Sequence, residues 1–248
     1  MDSRAHAQVL VVGDAAALAE TAARRLVARL TRTERAAICL TGGSSPLGLY
    51  RLLAESPWNG EVPWDCVHWF ICDDRFVPEH DPLSNMGAAK RILLDRVPAP
   101  RPNIHPIPTD AQNPESAARL YEQELKRFYG ADRLDTKRPL FDLVLMGLGP
   151  DGHTASLFPG SSALEEKQRW AVGIAKAGME PFVPRVTLTL PALASCREML
   201  FELSGAPKRA ILTQVLKDKN LPASRARSVG ETVFLVDQAA LPEGSGGH

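Results

Sequence analysis

One stretch, residues 141–160, constrains the fold more than any other part of this 248-residue chain. It begins with the apolar run Phe141–Met146, which is too short for a typical helix and too continuous for a strand with one face in water. Such a run is typical of a parallel strand that is buried on both faces. In open parallel sheets, polar sites lie beyond the carboxyl ends of the strands, and here that position holds Gly147-Leu148-Gly149-Pro150-Asp151-Gly152-His153.

This turn carries two ionisable side chains, Asp151 and His153. Its three glycines allow the backbone to approach a ligand closely. Histidine is the side chain that titrates nearest to neutral pH, so it can act as a general base, and a nearby carboxylate can orient it. The pair is a candidate general-base site. On the residues alone, the alternative is a polar turn whose histidine caps the helix that follows.

Strand and helix patterns alternate along the chain. Strands are predicted at Gln8–Val12, Ala36–Leu40, Cys66–Cys72, Phe141–Met146, Trp170–Ala175, Arg185–Leu190, Glu198–Leu203 and Val233–Val236. Helices fill most of the intervals between them. This alternation predicts an α/β fold, with a mostly parallel, Rossmann-like sheet that has helices on both faces. We expect a single domain over residues 1–241 and a flexible tail at 242–248.

Composition excludes several classes of partner. Lysine plus arginine and aspartate plus glutamate both number 29, so no net charge favours nucleic acid or an anionic membrane. The chain shows no signal-peptide pattern and no apolar run of about 18 residues, so we expect a cytoplasmic protein with no membrane span. The cysteines lack Cys-x-x-Cys spacing and are interpreted as buried free thiols: Cys39, Cys66, Cys72 and Cys196. Composition leaves the oligomeric state open.

A second turn with chemical potential follows the strand at Ala36–Leu40. It reads Thr41-Gly42-Gly43-Ser44-Ser45-Pro46 and leads into a helix. Exposed amides and the positive end of the helix dipole can bind a phosphate group in such an arrangement. The turn is neither a Walker loop nor a dinucleotide fingerprint. An ordinary helix cap formed by Ser44 or Ser45 is the alternative.

Further charged residues follow other elements. Asp73-Asp74-Arg75 ends the third strand and lies beside the two turns if the three strands are neighbours. Asn85 falls in the first turn of a helix, where it faces either solvent or a ligand. Arg185 lies on the polar face of a strand. Lys208 lies in the first turn of a helix, where a cation opposes the helix dipole unless an anion is near.

Taken in order, these motifs closely resemble the 6-phosphogluconolactonase family over nearly the whole chain. They are Thr-Gly-Gly-Ser-Ser-Pro at 41–46, Asp-Asp-Arg at 73–75, Asp-Pro-Leu-Ser-Asn at 81–85, Gly-Leu-Gly-Pro-Asp-Gly-His-Thr-Ala-Ser-Leu-Phe-Pro-Gly at 147–160, Arg-Val-Thr-Leu-Thr at 185–189, and Lys208. The resemblance implies hydrolysis of 6-phospho-D-glucono-1,5-lactone to 6-phospho-D-gluconate, a step of the oxidative pentose phosphate pathway. It also implies that neither a metal nor an organic cofactor is needed.

The resemblance also implies roles for residues. His153 matches the catalytic histidine of the family. The substrate phosphate is expected on the loop at Gly43 and Ser44, with charge from Arg185 and Lys208. We place the candidate catalytic residues at His153, Asp151 and Arg75, and the candidate binding residues at Gly42, Gly43, Ser44, Asp73, Asn85, Arg185 and Lys208. Direct attack by water is favoured over an acyl-enzyme because no Gly-x-Ser-x-Gly elbow is present. The oxyanion donor, either Arg75 or amides of the turn 147–152, stays open.

Two positions bear on alternative functions. The family often has Asp-Glu-Arg where this chain has Asp73-Asp74-Arg75, which leaves the role of each carboxylate open. Related glucosamine-6-phosphate deaminases carry a glutamate five residues after the histidine, where this chain has Phe158. The substitution favours the lactonase. A deaminase or isomerase, and a non-catalytic sugar-phosphate-binding domain, are the alternative functions.

Overall fold

The computed structural model describes residues 7–30 and 35–242. The described residues form nine strands: β1 (Gln8–Val12), β2 (Ala36–Leu40), β3 (Val67–Ile71), β4 (Asp73–Arg75), β5 (Phe141–Met146), β6 (Ala171–Ile174), β7 (Arg185–Leu188), β8 (Cys196–Leu203) and β9 (Glu231–Asp237). Their α-helices are α1 (Ala15–Leu30), α2 (Leu47–Leu53), α3 (Trp58–Glu61), α4 (Asn85–Ala89), α5 (Pro114–Tyr129), α6 (Leu190–Ala194), α7 (Arg209–Lys217) and α8 (Pro222–Arg225). The predicted tail, apart from Pro242, falls outside these residues, and the domain limit at 241 stays a prediction.

The main sheet has six strands in the order β1-β9-β8-β5-β2-β3, and every pairing is parallel. Helices flank it, which confirms the predicted α/β fold. Strand β5 lies inside the sheet and every residue of Phe141–Met146 is buried, as its unbroken apolar run predicts. The one charged residue of this run, Asp142, accepts a hydrogen bond from the Ala37 amide at 2.9 Å and one from Arg197 at 3.0 Å. Strand β5 therefore lies at the centre of the core.

A second, antiparallel sheet contains β4, β7 and β6 in that order. The small sheet lies next to the end of β3, because the amide of Leu188 in β7 donates to the carbonyl of Cys72, the residue that follows β3, at 2.8 Å. Strands β2, β3 and β5 are neighbours and run in the same direction. Their carboxyl ends, with the small sheet beside them, form one edge of the molecule.

Local signals in the sequence fix the ends of the long helices. Asp14 accepts a hydrogen bond from the Ala17 amide at 2.9 Å at the start of α1. Asn113 caps α5 through the Ser116 amide at 2.8 Å. Helix α5 ends at Gly130, whose φ of 75° is left-handed. Among the described residues, no helix combines the length and the apolar character needed to span a membrane.

Several sequence predictions need correction. Neither Ser44 nor Ser45 caps α2, because Pro46 occupies the N-cap and no side chain binds there. Cys66 belongs to a short 3₁₀ turn before β3, and it is half-buried rather than buried. Strand β7 ends at Leu188 because Leu190 begins α6. Cys39 and Cys72 are buried free thiols, with sulfurs 3.4 Å apart.

Candidate active site

A cleft of about 200 Å³ opens at the edge where β2, β3 and β5 end. The turns after β2 and β5 are adjacent there: a Cβ added to Gly147 would lie 3.8 Å from both the Gly42 carbonyl oxygen and the Thr41 hydroxyl. The cleft is lined by Thr41, Gly42, Gly43, Ser44, Ser45, Asp73, Arg75, Asn85, Gly147, Leu148, Gly149, His153, Thr154, Ala155, Arg185 and Lys208. All the predicted site residues therefore lie in its wall except Asp151, which contacts His153.

The Asp151 carboxylate fixes the orientation of the His153 imidazole. Oδ1 of Asp151 lies 2.5 Å from Nδ1 of His153 and also accepts the His153 amide at 3.0 Å. A charged acceptor at Nδ1 favours the tautomer in which that nitrogen carries the proton. Nε2 is then the ring nitrogen available as a base. The sequence left the contact between these two residues open, and the tight turn of the backbone at Gly152, with φ of 83°, makes it possible.

The imidazole packs against both Gly149 and Phe158. A Cβ on Gly149 would lie 2.0 Å from both Cε1 and Nδ1 of His153, so only glycine leaves room for the ring. The buried Phe158 ring lies 4.8 Å from the imidazole, measured between ring centroids. Phe158 also lies beneath the Arg185 guanidinium, 5.6 Å from the ring centroid. The histidine is thus held by packing as well as by its hydrogen bond.

The glycine-serine loop is fixed at its base by α2. The Tyr50 hydroxyl accepts the Thr41 amide at 3.0 Å and donates to the Thr41 carbonyl at 2.8 Å. Gly43 has a φ of 90°, which favours glycine. A Cβ on Gly42 would lie 2.1 Å from Oδ1 of Asn85, so this glycine admits the Asn85 side chain to the cleft wall.

Two arginines face each other across the small sheet. Arg75 of β4 and Arg185 of β7 are register partners. Among the described residues, the buried Nε of each has no hydrogen-bond partner, although Arg75 donates to the Leu83 carbonyl at 2.6 Å and Arg185 to the Pro181 carbonyl at 3.0 Å. Burial lowers the pKa of Arg185, and the nearby Arg75 adds to this effect while Asp73 opposes it. Opposed like charges with unused donors form a site suited to an anion.

Asp73 is the carboxylate of the cleft, whereas the side chain of Asp74 is directed elsewhere. Asp73 accepts a hydrogen bond from the Ser156 hydroxyl at 2.6 Å, and the Ser156 amide donates to the Thr187 hydroxyl at 3.2 Å. Ser156 is fully buried, and sequence reasoning missed its role. The signal was its place three residues after His153 in the central motif. Alternation along β4 explains why the two neighbouring aspartates diverge.

Lys208 brings a third cation to the cleft. It is the N-cap residue of α7, and its Nζ donates to the Leu148 carbonyl at 2.5 Å. Burial lowers the pKa of the Lys208 amine. The bond ties the start of α7 to the turn that carries His153. Among the described residues, no group of three or more histidine, cysteine, aspartate or glutamate side chains is arranged to hold a metal ion.

The fold and the cleft define a class of protein: a Rossmann-like α/β protein with a cationic cleft and an Asp-His pair at the carboxyl edge of its sheet. The model of the family described as glucosamine-6-phosphate isomerases/6-phosphogluconolactonase matches residues 13–234. The chain belongs to this family.

Individual relatives agree with this assignment. A 6-phosphogluconolactonase of Synechocystis is 37% identical over 220 residues, which cover 87% of this chain and 88% of that protein. A 6-phosphogluconolactonase of Mycobacterium leprae is 36% identical over 245 residues, which cover 94% and 97%. The crystal structure of a 6-phosphogluconolactonase from Thermotoga maritima superposes with a TM-score of 0.81 at 32% identity, and the match covers 94% of this chain and all of that one (100%).

Proposed function

We propose that this chain hydrolyses 6-phospho-D-glucono-1,5-lactone to 6-phospho-D-gluconate. The observation that carries the proposal is the position of His153, which lies in the same cleft as the glycine-serine loop and three cations, with Asp151 at its Nδ1. The names of the relatives support the substrate. The cytoplasmic location and the absence of a nucleic-acid partner stay predictions from the sequence.

The substrate phosphate binds at the cationic side of the cleft. The loop at Gly43 and Ser44 leads into the start of α2, where the helix dipole favours an anion. Arg185 and Lys208 supply positive charge. Binding of a dianion between buried cations restores interactions that these side chains lose on burial. Charge thus anchors the ligand, while the lactone carbonyl extends toward the imidazole.

His153 then activates water. Nε2 accepts a proton from the water, whose oxygen bonds to C1 of the lactone and forms a tetrahedral oxyanion. The oxyanion collapses, the bond between C1 and the ring oxygen breaks, and the ring oxygen takes the proton from the imidazolium. Asp151 stabilises the charged imidazole between these steps. Arg75 or amides of the turn 147–152 stabilise the oxyanion, an interaction for which the loss of one donor typically costs about 10²-fold or more in rate.

Phe158 favours this reaction over the deamination of glucosamine 6-phosphate. It occupies the position of the glutamate that the sequence comparison expects in a deaminase. A buried aromatic ring cannot exchange a proton with the substrate, and it narrows the space beside His153. We therefore expect no release of ammonia from glucosamine 6-phosphate.

The test generates the lactone in situ and compares acid release with the spontaneous rate. We expect hydrolysis well above background in the native chain and a loss of about 10²-fold or more in His153→Ala. His80→Ala, which removes an exposed histidine outside the cleft, is the matched control and should keep the native rate. A native chain at the spontaneous rate refutes the function, and a fully active His153→Ala removes the imidazole from the mechanism. Ammonia release would point to the deaminase.

A further inference from the structure

Asp74 is a buried carboxylate that accepts four hydrogen bonds. Only 2% of its surface is exposed. Oδ1 accepts the amides of Asn85 at 2.6 Å and of Arg75 at 2.8 Å. Oδ2 accepts the Met86 amide at 3.0 Å and the Ser84 hydroxyl at 3.1 Å. The carboxylate therefore joins strand β4 to the start of α4.

Two partners of Asp74 belong to the wall of the cleft. Arg75 and Asn85 both line it. Asn85 is further held by its own donation to the Asp73 carbonyl at 3.0 Å, and Arg75 by its bond to Leu83 in the segment before α4. Helix α4 has only five residues, so its first turn gains little stability from its own length. The Asp74 carboxylate instead accepts the first two amides of α4, those of Asn85 and Met86.

We propose that Asp74 is a positioning residue: it fixes Arg75 and Asn85 in the wall of the cleft and thereby supports turnover of the ligand. The inference rests on the proposed function for its kinetic readout only. The geometric part, that the charge of Asp74 holds the first turn of α4, is independent of the reaction.

The four accepted bonds require the ionised form of Asp74. Burial raises the pKa of Asp74 to about 6, with a further increase from Asp73, while the amides of Met86, Asn85 and Arg75 oppose the shift. The other charged or titratable groups that interact with it are Arg185 of β7 and Tyr121 of α5. A protonated carboxyl turns one of its oxygens into a donor, so it cannot keep all four accepted bonds. Above about pH 6 the carboxylate is ionised and can accept all four bonds.

The kinetic experiment follows kcat/KM between about pH 5 and 8 for the native chain and Asp74→Asn. Asp74→Asn should lower kcat/KM about tenfold at neutral pH, where the native carboxylate is ionised. This deficit should shrink as pH falls below about 6, because the native chain then protonates Asp74 as well. A native kcat/KM in this variant at neutral pH, or a deficit that is the same at every pH, overturns the proposal.

Asp142→Asn is the matched control. Asp142 is also a buried aspartate that accepts a backbone amide, from Ala37, but it lies at the opposite end of β5 from the cleft. We expect this variant to lose stability while it keeps the native kcat/KM at every pH. If both variants lose activity equally at every pH, Asp74 has a general structural role and the proposal is wrong.

Hydrogen exchange tests the geometry without an activity assay. At about pH 7, after correction for intrinsic rates, the amides of Asn85 and Met86 should be protected in the native chain, and they should lose protection in Asp74→Asn while the Ala37 amide keeps it. Unchanged protection in the variant overturns the proposal. Weak protection of the two amides in the native chain also overturns it, even if Asp74→Asn does not fold. If the native chain shows no lactonase activity, the proposed function fails, and this exchange pattern alone decides the role of Asp74.

Discussion

The replacement Glu202→Gln is expected to stabilise the protein progressively as pH rises. Glu202 lies in β8, with 1% of its surface exposed, and among the described residues neither carboxyl oxygen has a hydrogen-bond partner. Burial raises the pKa of this carboxyl from its ordinary 4.5 to about 8. The folded chain therefore holds a proton on Glu202 at pH 7, whereas the unfolded chain has released it.

The magnitude follows from this difference in bound protons. Between the unfolded and folded pKa values, the unfolded state binds one proton fewer, so the free energy of unfolding falls by about 1.4 kcal/mol per pH unit. The contribution is fully present below pH 4.5 and is lost as pH rises through 8. At pH 7 the accumulated loss is about 3 kcal/mol. Glutamine has nearly the same shape and does not titrate, so the variant lacks this slope.

Denaturant unfolding of the native chain and Glu202→Gln between about pH 5 and 8 measures the effect. The stability of the variant relative to the native chain should grow by about 1.4 kcal/mol per unit of pH. Glu198→Gln is the matched control. Glu198 lies on the same strand with 1% exposure, but it forms ion pairs with Arg25 and with Arg29. Its replacement leaves both arginines with the exposed Glu231 as their remaining acidic partner and should destabilise the fold by about 1–3 kcal/mol, with little dependence on pH in this range.

The reasoning fails if the difference between Glu202→Gln and the native chain is the same at every pH. That result would mean that Glu202 has one protonation state in both folded and unfolded chains. It would then require a compensating partner for the carboxylate.

Two further predictions concern the cleft. Gly149→Ala should lower kcat about 10²-fold or more without unfolding the protein, because its Cβ would displace the His153 ring. Lactone hydrolysis measures the rate, and circular dichroism checks the fold. Gly13→Ala is the control and should leave the rate unchanged, because a Cβ at this position meets open space. Arg185→Met should raise KM about tenfold or more, because it removes a cation from the cleft. It should also raise the melting temperature, because it removes a buried charge whose Nε has no hydrogen-bond partner among the described residues. A lower melting temperature would contradict this account.

Much of the fold was predictable because it depends on local patterns. The unbroken apolar run of β5 indicated burial on both faces, and Asp14 and Asn113, which are residue types that cap helices, precede α1 and α5. The small antiparallel sheet was not predicted. Its pairing of β4 with β7 joins segments far apart in the chain, and neither strand shows which partner it selects.

The site shows the same division. The turns that carry Gly43 and His153 could be placed at one edge, because parallel strands bring their carboxyl ends together. The separate roles of Asp73 and Asp74 could not, since adjacent carboxylates look alike until β4 assigns them to opposite faces. The missing partner of Glu202 was equally hidden. The pattern of β8 indicates a strand, but hydrogen-bond satisfaction depends on every neighbour in three dimensions.

The three cations of the cleft explain why function and stability conflict at this edge. Among the described residues, Arg75, Arg185 and Lys208 contact carbonyl oxygens rather than forming close ion pairs with carboxylates. A carboxylate partner for each would stabilise the empty fold, but it would also compete with the anionic ligand for the same donors. Without a close carboxylate partner, the three cations keep most of their charge interaction for the ligand. A bound phosphate ester should therefore stabilise the native chain more than Arg185→Met.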